Sequence, residues 1–587
     1  MKKAFFSVLV LCLLFAGTAF AQSITEVNSE PVTTHPTEGT TAIRVFQTTD
    51  IHGYLMDTSS MKEETFQYRM AYLSGVVNKA KTEFDGVILL NGGNNYEGTP
   101  VSNLLKGASI RAAFDMMGYD ATALGNHEFD WGDDVVYTVS SEKKDATIGA
   151  YTVGEFSADP TVPVLACNLY YRESGDRVEF TKDYVIVEKA GYRIALIGYI
   201  SDFSSMVMSE RVAPFFIDTN IDHLKAKIEE INAAEKADLT ILVTFDSPAS
   251  LAAKMDPSQV TLVTGGHGGS SAGVADNGIA YLSGSSYVAG YACATIMIDN
   301  ATGAVSVADT ELVSLTKSGP GADNSHLYES SEDLDPQILA LSKASWNAVK
   351  DNMEEVLGYI DTAITARGSI SDNGATTAGN WVTGLMLRFA EKYGAVAAFY
   401  NNGGLRTSFN LAEGQTTRQI TAADVYQINP FCNYWYVYEI TGAELKQHLL
   451  NAFKNGNYGN EMSGLTFTFT QTEDTSASSQ SQGAGGPGGP GGPGGSRKSY
   501  IYTIESVTLS DGTEVDLEDN TTLYRVCTSN YSGTLAGGVF ENKTPIYSEA
   551  EAPIDSEMLI ELLREEGKAN NGYIAVDTGI RGTKVEK

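Results

Sequence analysis

The chain is 587 residues long, and 42% of them are hydrophobic. This length exceeds one ordinary hydrophobic core, so we expect at least two globular domains. The formal net charge of -33 repels polyanions and excludes a nucleic-acid polymer as a natural partner. A small anionic substrate would therefore need local positive charge from a metal ion or from arginine side chains.

The first 21 residues have the pattern of a secretory signal: Lys2 and Lys3 precede an apolar run that ends in small residues at Ala21. We expect cleavage after Ala21, a periplasmic or secreted product, and a flexible leader over residues 22–40. No later segment approaches the roughly 18 uninterrupted apolar residues that cross a bilayer, so no transmembrane anchor is predicted. The widely spaced cysteines after the signal are predicted to be buried free thiols: Cys167, Cys293, Cys432 and Cys527.

Residues 41–315 alternate apolar strand-like runs with helical patterns, which is typical of a layered α/β domain. The helical patterns lie at Met70 to Phe84 and at Val101 to Met117. Residues 316–357 are predicted to join this domain to the next, with a polar linker followed by a helix over Pro336 to Leu357.

Residues 358–587 are predicted to form a second α/β domain. Strand patterns at Leu465 to Thr470 and at Tyr500 to Leu509 flank a Gly-Gly-Pro repeat. The repeat is too short for a collagen helix, so residues 472–498 are predicted to be a disordered surface insertion.

Five short apolar runs in the first domain each end in polar residues. Buried strands bounded by Gly and Asp have this pattern, and ligands in α/β sheets collect beyond the carboxyl ends of strands. Any one such residue is more often a turn cap than a ligand. Together the five favour a metal site, and the residues at the run ends are Asp50 with His52, Asn94, Asn126 with His127, Asp246, and His267.

The segment Gly125 to Asp130 suits phosphate-ester chemistry at a metal. Asn126 offers a neutral amide ligand, and His127 beside it can protonate a leaving oxygen. Asp130 can orient and charge the imidazole. The alternative interpretation of His127 is a loop histidine with an ordinary structural hydrogen bond.

A second candidate segment, residues 401–406, reads Asn-Asn-Gly-Gly-Leu-Arg. A tight turn at Gly403 and Gly404 brings backbone donors near an anion, and Arg406 is placed for a phosphate. The alternative is an ordinary glycine turn.

In their order along residues 41–587, these motifs resemble those of the 5'-nucleotidases, secreted metallophosphoesterases with a separate C-terminal nucleotide-binding domain. The resemblance implies a metallophosphoesterase-type layered α/β sandwich followed by an α/β domain of the 5'-nucleotidase type. The matching segments are Thr49 to Gly53, Gly93-Asn94 with Gly98 to Pro100, Gly125 to Asp130, Gly265 to His267, Asn401 to Arg406, and Pro430 to Asn433.

The resemblance also implies the roles of single residues. His127 and Asp130 take the catalytic positions, and Phe431 and Tyr531 match two aromatic rings that sandwich a nucleobase. One or two divalent ions, of the zinc, manganese, cobalt or magnesium type, would be held by Asp50, His52, Asn94, Asn126 and His267. A small nucleotide or another phosphate ester would be bound by Asn401, Gly403, Gly404, Arg406, Phe431, Asn433 and Tyr531.

Three positions depart from the family pattern, and all three bear on the metals. Asn94 stands where the family has a bridging aspartate, Phe245 where a strand ends in a ligating histidine, and Gly269 where the Gly-Gly-His motif carries a second ligand. The amide removes a negative charge from between two dications, where unit charges ~4 Å apart interact by about 4 kcal/mol even in a protein surface environment. Asp246 is a poor replacement, because neighbouring strand residues point to opposite faces. The metal site is therefore predicted to be partly degenerate.

Two functions stay open from the sequence. The leading hypothesis is an exported, metal-dependent phosphoric-monoester hydrolase for nucleotides or related phosphate esters, with reduced activity. The competing hypothesis is a catalytically inactive relative that keeps the fold and binds a nucleotide or another ligand.

Overall fold

The computed structural model describes residues 25–26, 38–60, 62–131, 152–158, 161–204, 207, 209–267, 269–319, 321–366, 376–431, 433–473, 500–548 and 554–586. The predicted signal, Cys432 and all but two residues of the predicted insertion lie outside these ranges. Thr25 and Glu26 pair in parallel with Val313 and Ser314, which corrects the prediction of a flexible leader at these two residues. Likewise, residues 472 and 473 of the predicted insertion belong to a strand.

Two β-sheets form the first part of the chain, and the α/β fold class is confirmed. The first sheet has seven strands in the order Thr25–Glu26, Val305–Ser314, Gly290–Asp299, Thr40–Thr48, Gly86–Asn91, Ala121–Ala123 and Val164–Leu165. The second has six in the order Ser271–Val274, Ala280–Ser283, Leu262–Thr264, Leu239–Phe245, Tyr192–Ile200 and Tyr184–Lys189. Two-stranded pairs are formed by Leu169–Tyr171 with Phe215–Ile217, and by Thr152–Val153 with Phe156–Ser157.

Helices cover the outer faces of both sheets. The helix Arg69–Glu83 packs on the first sheet and Ile221–Glu235 on the second, while Val45, Leu90 and Val243 lie in the apolar core between the sheets. This is the layered sandwich that the sequence predicts. The other helices here are Pro100–Leu104, Ala108–Met117, Ser209–Val212 and Pro248–Ala252, with 3-10 turns at Glu63–Thr65, His127–Phe129, Ser286–Val288 and Ser325–Leu327.

The predicted helix over Val101 to Met117 is in fact two helices, Pro100–Leu104 and Ala108–Met117. The break falls at Gly107, whose φ of 75° is left-handed and cannot continue a right-handed α-helix. The predicted joining helix runs over Pro336–Met353 and ends before the strand Val356–Ile360 begins.

Parallel pairing sets the position of the functional loops. In the first sheet Thr40–Thr48, Gly86–Asn91 and Ala121–Ala123 run side by side in the same direction. In the second sheet Leu239–Phe245 and Leu262–Thr264 do the same. The loops that follow these strands therefore leave each sheet at its carboxyl edge.

The remainder of the chain is a second α/β region. A four-stranded sheet has the order Trp435–Thr441, Leu523–Ser529, Ala395–Tyr400 and Glu461–Ser463. A three-stranded sheet has the order Tyr500–Leu509, Leu465–Glu473 and Gly582–Lys584. The strand Val356–Ile360 pairs with Arg418–Thr421. The helices are Thr377–Ala390, Ala422–Ile428, Gly442–Lys454, Asn530–Gly533 and Asp555–Ala569, with 3-10 turns at Glu391–Tyr393, Asn402–Gly404 and Gly456–Tyr458.

Among the described residues, no helix combines the length and the hydropathy needed to cross a membrane. The cysteines within the described ranges are buried free thiols, as predicted: Cys167, Cys293 and Cys527.

Candidate functional site

Loops at the carboxyl edges of the two sheets carry the predicted metal ligands. Asp50, His52, Asn94 and His267 have left-handed backbones, with φ of 48°, 48°, 59° and 51°. Such conformations are uncommon outside glycine, although Asn, Asp and His adopt them more readily than other residues. Their clustering in these loops is the kind of local strain that accompanies functional sites.

Asn94 links the loops that carry Asp50 and His127. Its Nδ2 donates to Asp50 Oδ1 at 3.0 Å, and its Oδ1 accepts from the backbone N–H of His127 at 3.1 Å. Both ends of the amide are therefore used within the protein. Because an amide N–H is a donor, the face of Asn94 toward Asp50 does not offer a cation a lone pair.

Glu97, which the sequence motifs did not identify, lies between the two site histidines. Its Oε2 is 3.3 Å from His52 Nδ1 and 3.5 Å from His127 Nδ1, and its side chain is only 1% exposed. Burial lowers the pKa of His52, but the hydrogen bond and charge of Glu97 outweigh it and raise the pKa overall. His52, Glu97 and His127 each place one ligand-type atom within 4.8 Å of the others, so the three form a group that could hold a metal ion.

His127 and Asp130 form a tight pair in the 3-10 turn after the strand Ala121–Ala123. His127 Nδ1 and Asp130 Oδ2 are 2.5 Å apart. Burial lowers the pKa of His127 and raises the pKa of Asp130. The two groups are therefore within hydrogen-bond distance in a buried place, where burial disfavours the charged form of each.

Glu128 holds the loops in place and was also missed by the sequence motifs. Its carboxylate accepts from the backbone N–H groups of Asn94, Asn95 and Gly125 at 3.1, 2.7 and 2.6 Å. Burial raises the pKa of Glu128 to about 7, against the three hydrogen bonds, which favour the charged form. Glu128 thus ties the Asn94 loop to the Asn126 loop.

Two predicted substrate residues of the second domain lie over the histidines. The Phe431 ring stacks on His127 with 5.7 Å between the ring centroids, and the Arg406 guanidinium lies 5.3 Å from the centroid of Phe431. Arg406 also donates to Tyr287 Oη at 3.2 Å. The side chains predicted to stack on a base, to bind a phosphate and to transfer a proton are therefore adjacent.

Tyr531 lies near the same pair. Burial raises the pKa of Tyr531 to about 12, and the charge of Asp130 adds to the effect. The carbonyl of Gly403 accepts from Arg406 Nη1 at 3.4 Å and so helps to hold the guanidinium in place.

Other predicted substrate residues are turned inward. Asn433 is 7% exposed, and its Nδ2 donates to Tyr400 Oη at 3.3 Å rather than facing Phe431. Asn401 is buried with its Oδ1 unpartnered. A Cβ on Gly404 would lie 2.7 Å from the Tyr400 ring, so this glycine permits a close turn.

At the edge of the second sheet, the Phe245 ring lies beside His267. The two rings are 4.9 Å apart, and Phe245 is fully buried. The backbone N–H of His267 donates weakly to Asp50 Oδ2 at 3.4 Å. Asp246 Oδ1 accepts from the backbone N–H of Ser247 at 2.7 Å. A Cβ on Gly269 would meet no atom of the described residues within 4 Å.

The second domain carries a recognisable family signature. Residues 356–542 match the family model described as the 5'-nucleotidase C-terminal domain. The solved structure of a 5'-nucleotidase precursor from Thermus thermophilus has the same fold, with a TM-score of 0.65 over 93% of this chain and 100% of that one, at 18% identity. Residues 356–542 thus belong to the 5'-nucleotidase family, and the chain as a whole has the fold of a solved 5'-nucleotidase precursor.

Two bacterial relatives of the chain are longer than it is. The trifunctional nucleotide phosphoesterase protein YfkN of Bacillus subtilis is 24% identical over 468 residues, which cover 74% of this chain and 29% of that protein. The cell wall protein Lmo0130 of Listeria monocytogenes is 25% identical over 558 residues, which cover 85% of this chain and 65% of that protein. This chain thus spans less than two thirds of the length of either relative.

The side chains of this 5'-nucleotidase relative fit one divalent ion better than two. Buried oxygens of Asn126 and Glu97 have no hydrogen-bond partner among the described residues, and His52 Nε2 lies 4.0 Å from Asp50 Oδ1. Unpaired buried oxygens beside an imidazole nitrogen are a suitable donor set for a divalent cation. For a second ion the side chains offer less, because Phe245 beside His267 has no ligand atom and the amide of Asn94 already bonds to Asp50.

Proposed function

We propose that the chain is an exported, metal-dependent phosphoric-monoester hydrolase that acts on nucleotides or related phosphate esters, with reduced activity. The observation that carries this proposal is the stack of Arg406, Phe431 and His127, with Asp130 within hydrogen-bond distance of the Nδ1 of the imidazole. A phosphate binder, an aromatic platform and a proton donor are the parts that cleavage of a nucleoside monophosphate requires.

Each of these side chains has a separate role in the proposed reaction. Arg406 binds the phosphate through its planar fork, and Phe431 with Tyr531 stacks on the base. His127 delivers a proton to the leaving oxygen, while Asp130 fixes the ring and stabilises its charged form. Asn401, Gly403, Gly404 and Asn433 shape the turn behind these groups.

A divalent ion held by Asp50, His52, Asn126 and His267 would supply Lewis acidity at the phosphorus. The group of His52, Glu97 and His127, which could hold a metal ion and shares His52 with this set, supports cation binding in this part of the chain. Export is inferred from the secretory pattern of residues 1–21, and a relative whose name describes a cell wall protein supports it.

The purified chain should release phosphate from nucleoside monophosphates when manganese, zinc or cobalt is added. His127→Asn should lower kcat at least about 100-fold, the lower range for loss of a general acid. His223→Asn is a matched control, because the side chain of His223 is 68% exposed on a distant helix. No phosphate release with any of the three metals rejects the proposal.

The second candidate function is binding of a nucleotide without turnover. The specific observation in its favour is Asn94, whose amide uses both of its ends within the protein, in bonds to Asp50 and to the N–H of His127. Calorimetric titration with a nucleoside monophosphate separates the two: binding with no phosphate release and no bound metal supports the binding module.

A further inference from the structure

Glu97 is a buried carboxylate with an unusual set of neighbours. Its side chain is 1% exposed, and its ion-pairing partners in the described part of the chain are His52 and His127. Its second oxygen, Oε1, is buried and has no hydrogen-bond partner within the part of the chain that the structure describes. Burying a carboxylate without a full set of partners is unfavourable, so this arrangement indicates that positive charge is expected nearby.

The backbone around Glu97 is built to bring it against His52. Gly98 has a φ of 141°, and a Cβ there would lie 2.4 Å from the carbonyl oxygen of His52. Only glycine allows this approach. The carbonyl of Glu97 is also 3.1 Å from His52 Nδ1, so both the main chain and the side chain of Glu97 face that nitrogen.

These contacts decide which nitrogen of His52 is free. Since both neighbours of Nδ1 are oxygens, Nδ1 carries the proton and donates it toward Glu97. The lone pair is then on Nε2, which lies 4.0 Å from Asp50 Oδ1. A carboxylate behind a ligating histidine orients the ring and makes it a stronger ligand.

The predicted metal ligands carry only one negative charge. The amide at position 94 leaves Asp50 as the sole anion among the predicted ligands. Glu97 is three residues further along the same loop and returns one negative charge to the site, between the two histidines.

We propose that Glu97 is a positioning residue of the cation site, which supplies the negative charge that position 94 lacks and holds His52 with Nε2 beside Asp50. This inference rests on the proposed metal dependence of the chain. It assigns to Glu97 a role in cation binding through His52, without direct contact with substrate.

The test compares metal affinity, measured by calorimetric titration of metal-stripped protein with manganese or zinc. Glu97→Gln keeps the shape and the hydrogen-bond acceptor but removes the charge, and we expect its dissociation constant to rise about 10-fold or more. Asn94→Asp combined with Glu97→Gln should return it to within about threefold of wild type, because the charge is restored three residues away.

Glu311→Gln is the matched control. Glu311 also has a buried, unpartnered oxygen, but it faces Arg44 in the first sheet rather than the site, so its removal should leave the metal affinity unchanged. Should Glu97→Gln not fold, Asn94→Asp is compared with and without Glu97→Gln, and the double variant is expected to bind metal more weakly, because it carries one negative charge fewer and lacks the carboxylate behind His52.

The outcomes separate the two proposals. A wild-type chain that binds neither metal overturns the proposed metal dependence and this inference with it. A wild-type chain that binds metal while Glu97→Gln binds equally well overturns the role of Glu97 alone. Weak binding by both Glu97→Gln and the double variant overturns the replacement of charge at position 94.

Discussion

Asp555 should make the stability of the chain depend on pH. Its carboxyl is fully buried at the start of the helix Asp555–Ala569, where Oδ2 accepts from Tyr400 Oη at 3.1 Å. Burial raises the pKa of Asp555 to about 7, against hydrogen bonds that favour the charged form. The folded chain therefore keeps a proton that the unfolded chain releases near the ordinary value of about 3.9.

Proton linkage fixes the direction of the effect. Between about pH 4 and pH 7 the folded state binds more protons than the unfolded state, so stability falls as the pH rises through this window. The gap between the two pKa values corresponds to about 4 kcal/mol at about 1.4 kcal/mol per unit. Asp555→Asn removes the titrating group, so its stability relative to wild type should increase by roughly 2 to 3 kcal/mol from pH 5 to pH 8.

Denaturant unfolding followed by tryptophan fluorescence at several pH values measures this difference. Asp511→Asn is the control, because hydrogen bonds from Thr513 hold the pKa of Asp511 below its ordinary value. Its titration lies below the window, so its effect on stability should not change between pH 5 and pH 8. Wild type and Asp555→Asn with parallel pH profiles would refute the reasoning.

Three further substitutions test the candidate site. Arg406→Lys should raise KM for nucleoside monophosphates roughly 10-fold in initial-rate assays, because lysine lacks the two-point fork for phosphate; an unchanged KM removes Arg406 from the substrate site. Phe431→Leu should lower kcat/KM about 10-fold for a nucleoside monophosphate but not for glycerol phosphate, since base stacking contributes about 1 to 3 kcal/mol; equal losses on both substrates would indicate packing instead. Phe245→His should destabilise the fold by roughly 2 kcal/mol in chemical unfolding, because Phe245 is fully buried against Phe203. Recovery of that stability with zinc, while Asn94 remains, would contradict the one-ion interpretation.

The elements of the sheets could be predicted because strand and helix periodicity is local. The strand Tyr500–Leu509 has the predicted bounds. The helix predicted over Val101 to Met117 failed at Gly107, since a single glycine inside a helical pattern is tolerated in some helices and breaks others. The hydrophobic pattern alone does not distinguish these cases, because the left-handed turn depends on packing, here against the ring of Tyr96.

The meeting of Asp50, Asn94 and His127 follows from parallel topology, since loops after neighbouring parallel strands share an edge. Glu97 and Glu128 were not predictable in the same way. A loop glutamate is most often a solvated surface residue, and nothing in its local sequence reports burial. The Gly-Thr-Pro segment beginning at Gly98 was the available signal, because a glycine that permits close backbone approach places the preceding side chain against the site.

Asn433 is a residue that the sequence motif singled out although its side chain does not face the site. The motif Pro-Phe-Cys-Asn puts Phe431 and Asn433 two residues apart, which suggests a shared face. In the structure Phe431 faces His127, whereas Asn433 faces Tyr400 and its carbonyl accepts from the N–H of Asp555 at 2.7 Å. Loop residues have no fixed alternation, so spacing in a motif does not determine which side chains reach a ligand.

Asn94, Phe245 and Glu97 together suit a site that holds one ion. The Phe245 ring lies beside His267, and its edge would be 3.1 Å from a Cβ on Gly93, so it fills the space next to the Asn94 loop. With no second ion, a carboxylate at position 94 would face Asp50 at about 3 Å, a repulsion of roughly 5 kcal/mol at a protein-surface dielectric. The amide turns that repulsion into the 3.0 Å hydrogen bond from Asn94 to Asp50. A single ion still needs a negative charge besides that of Asp50, and Glu97 carries it. His52 lies between Glu97 and Asp50, so the two carboxylates do not repel each other directly.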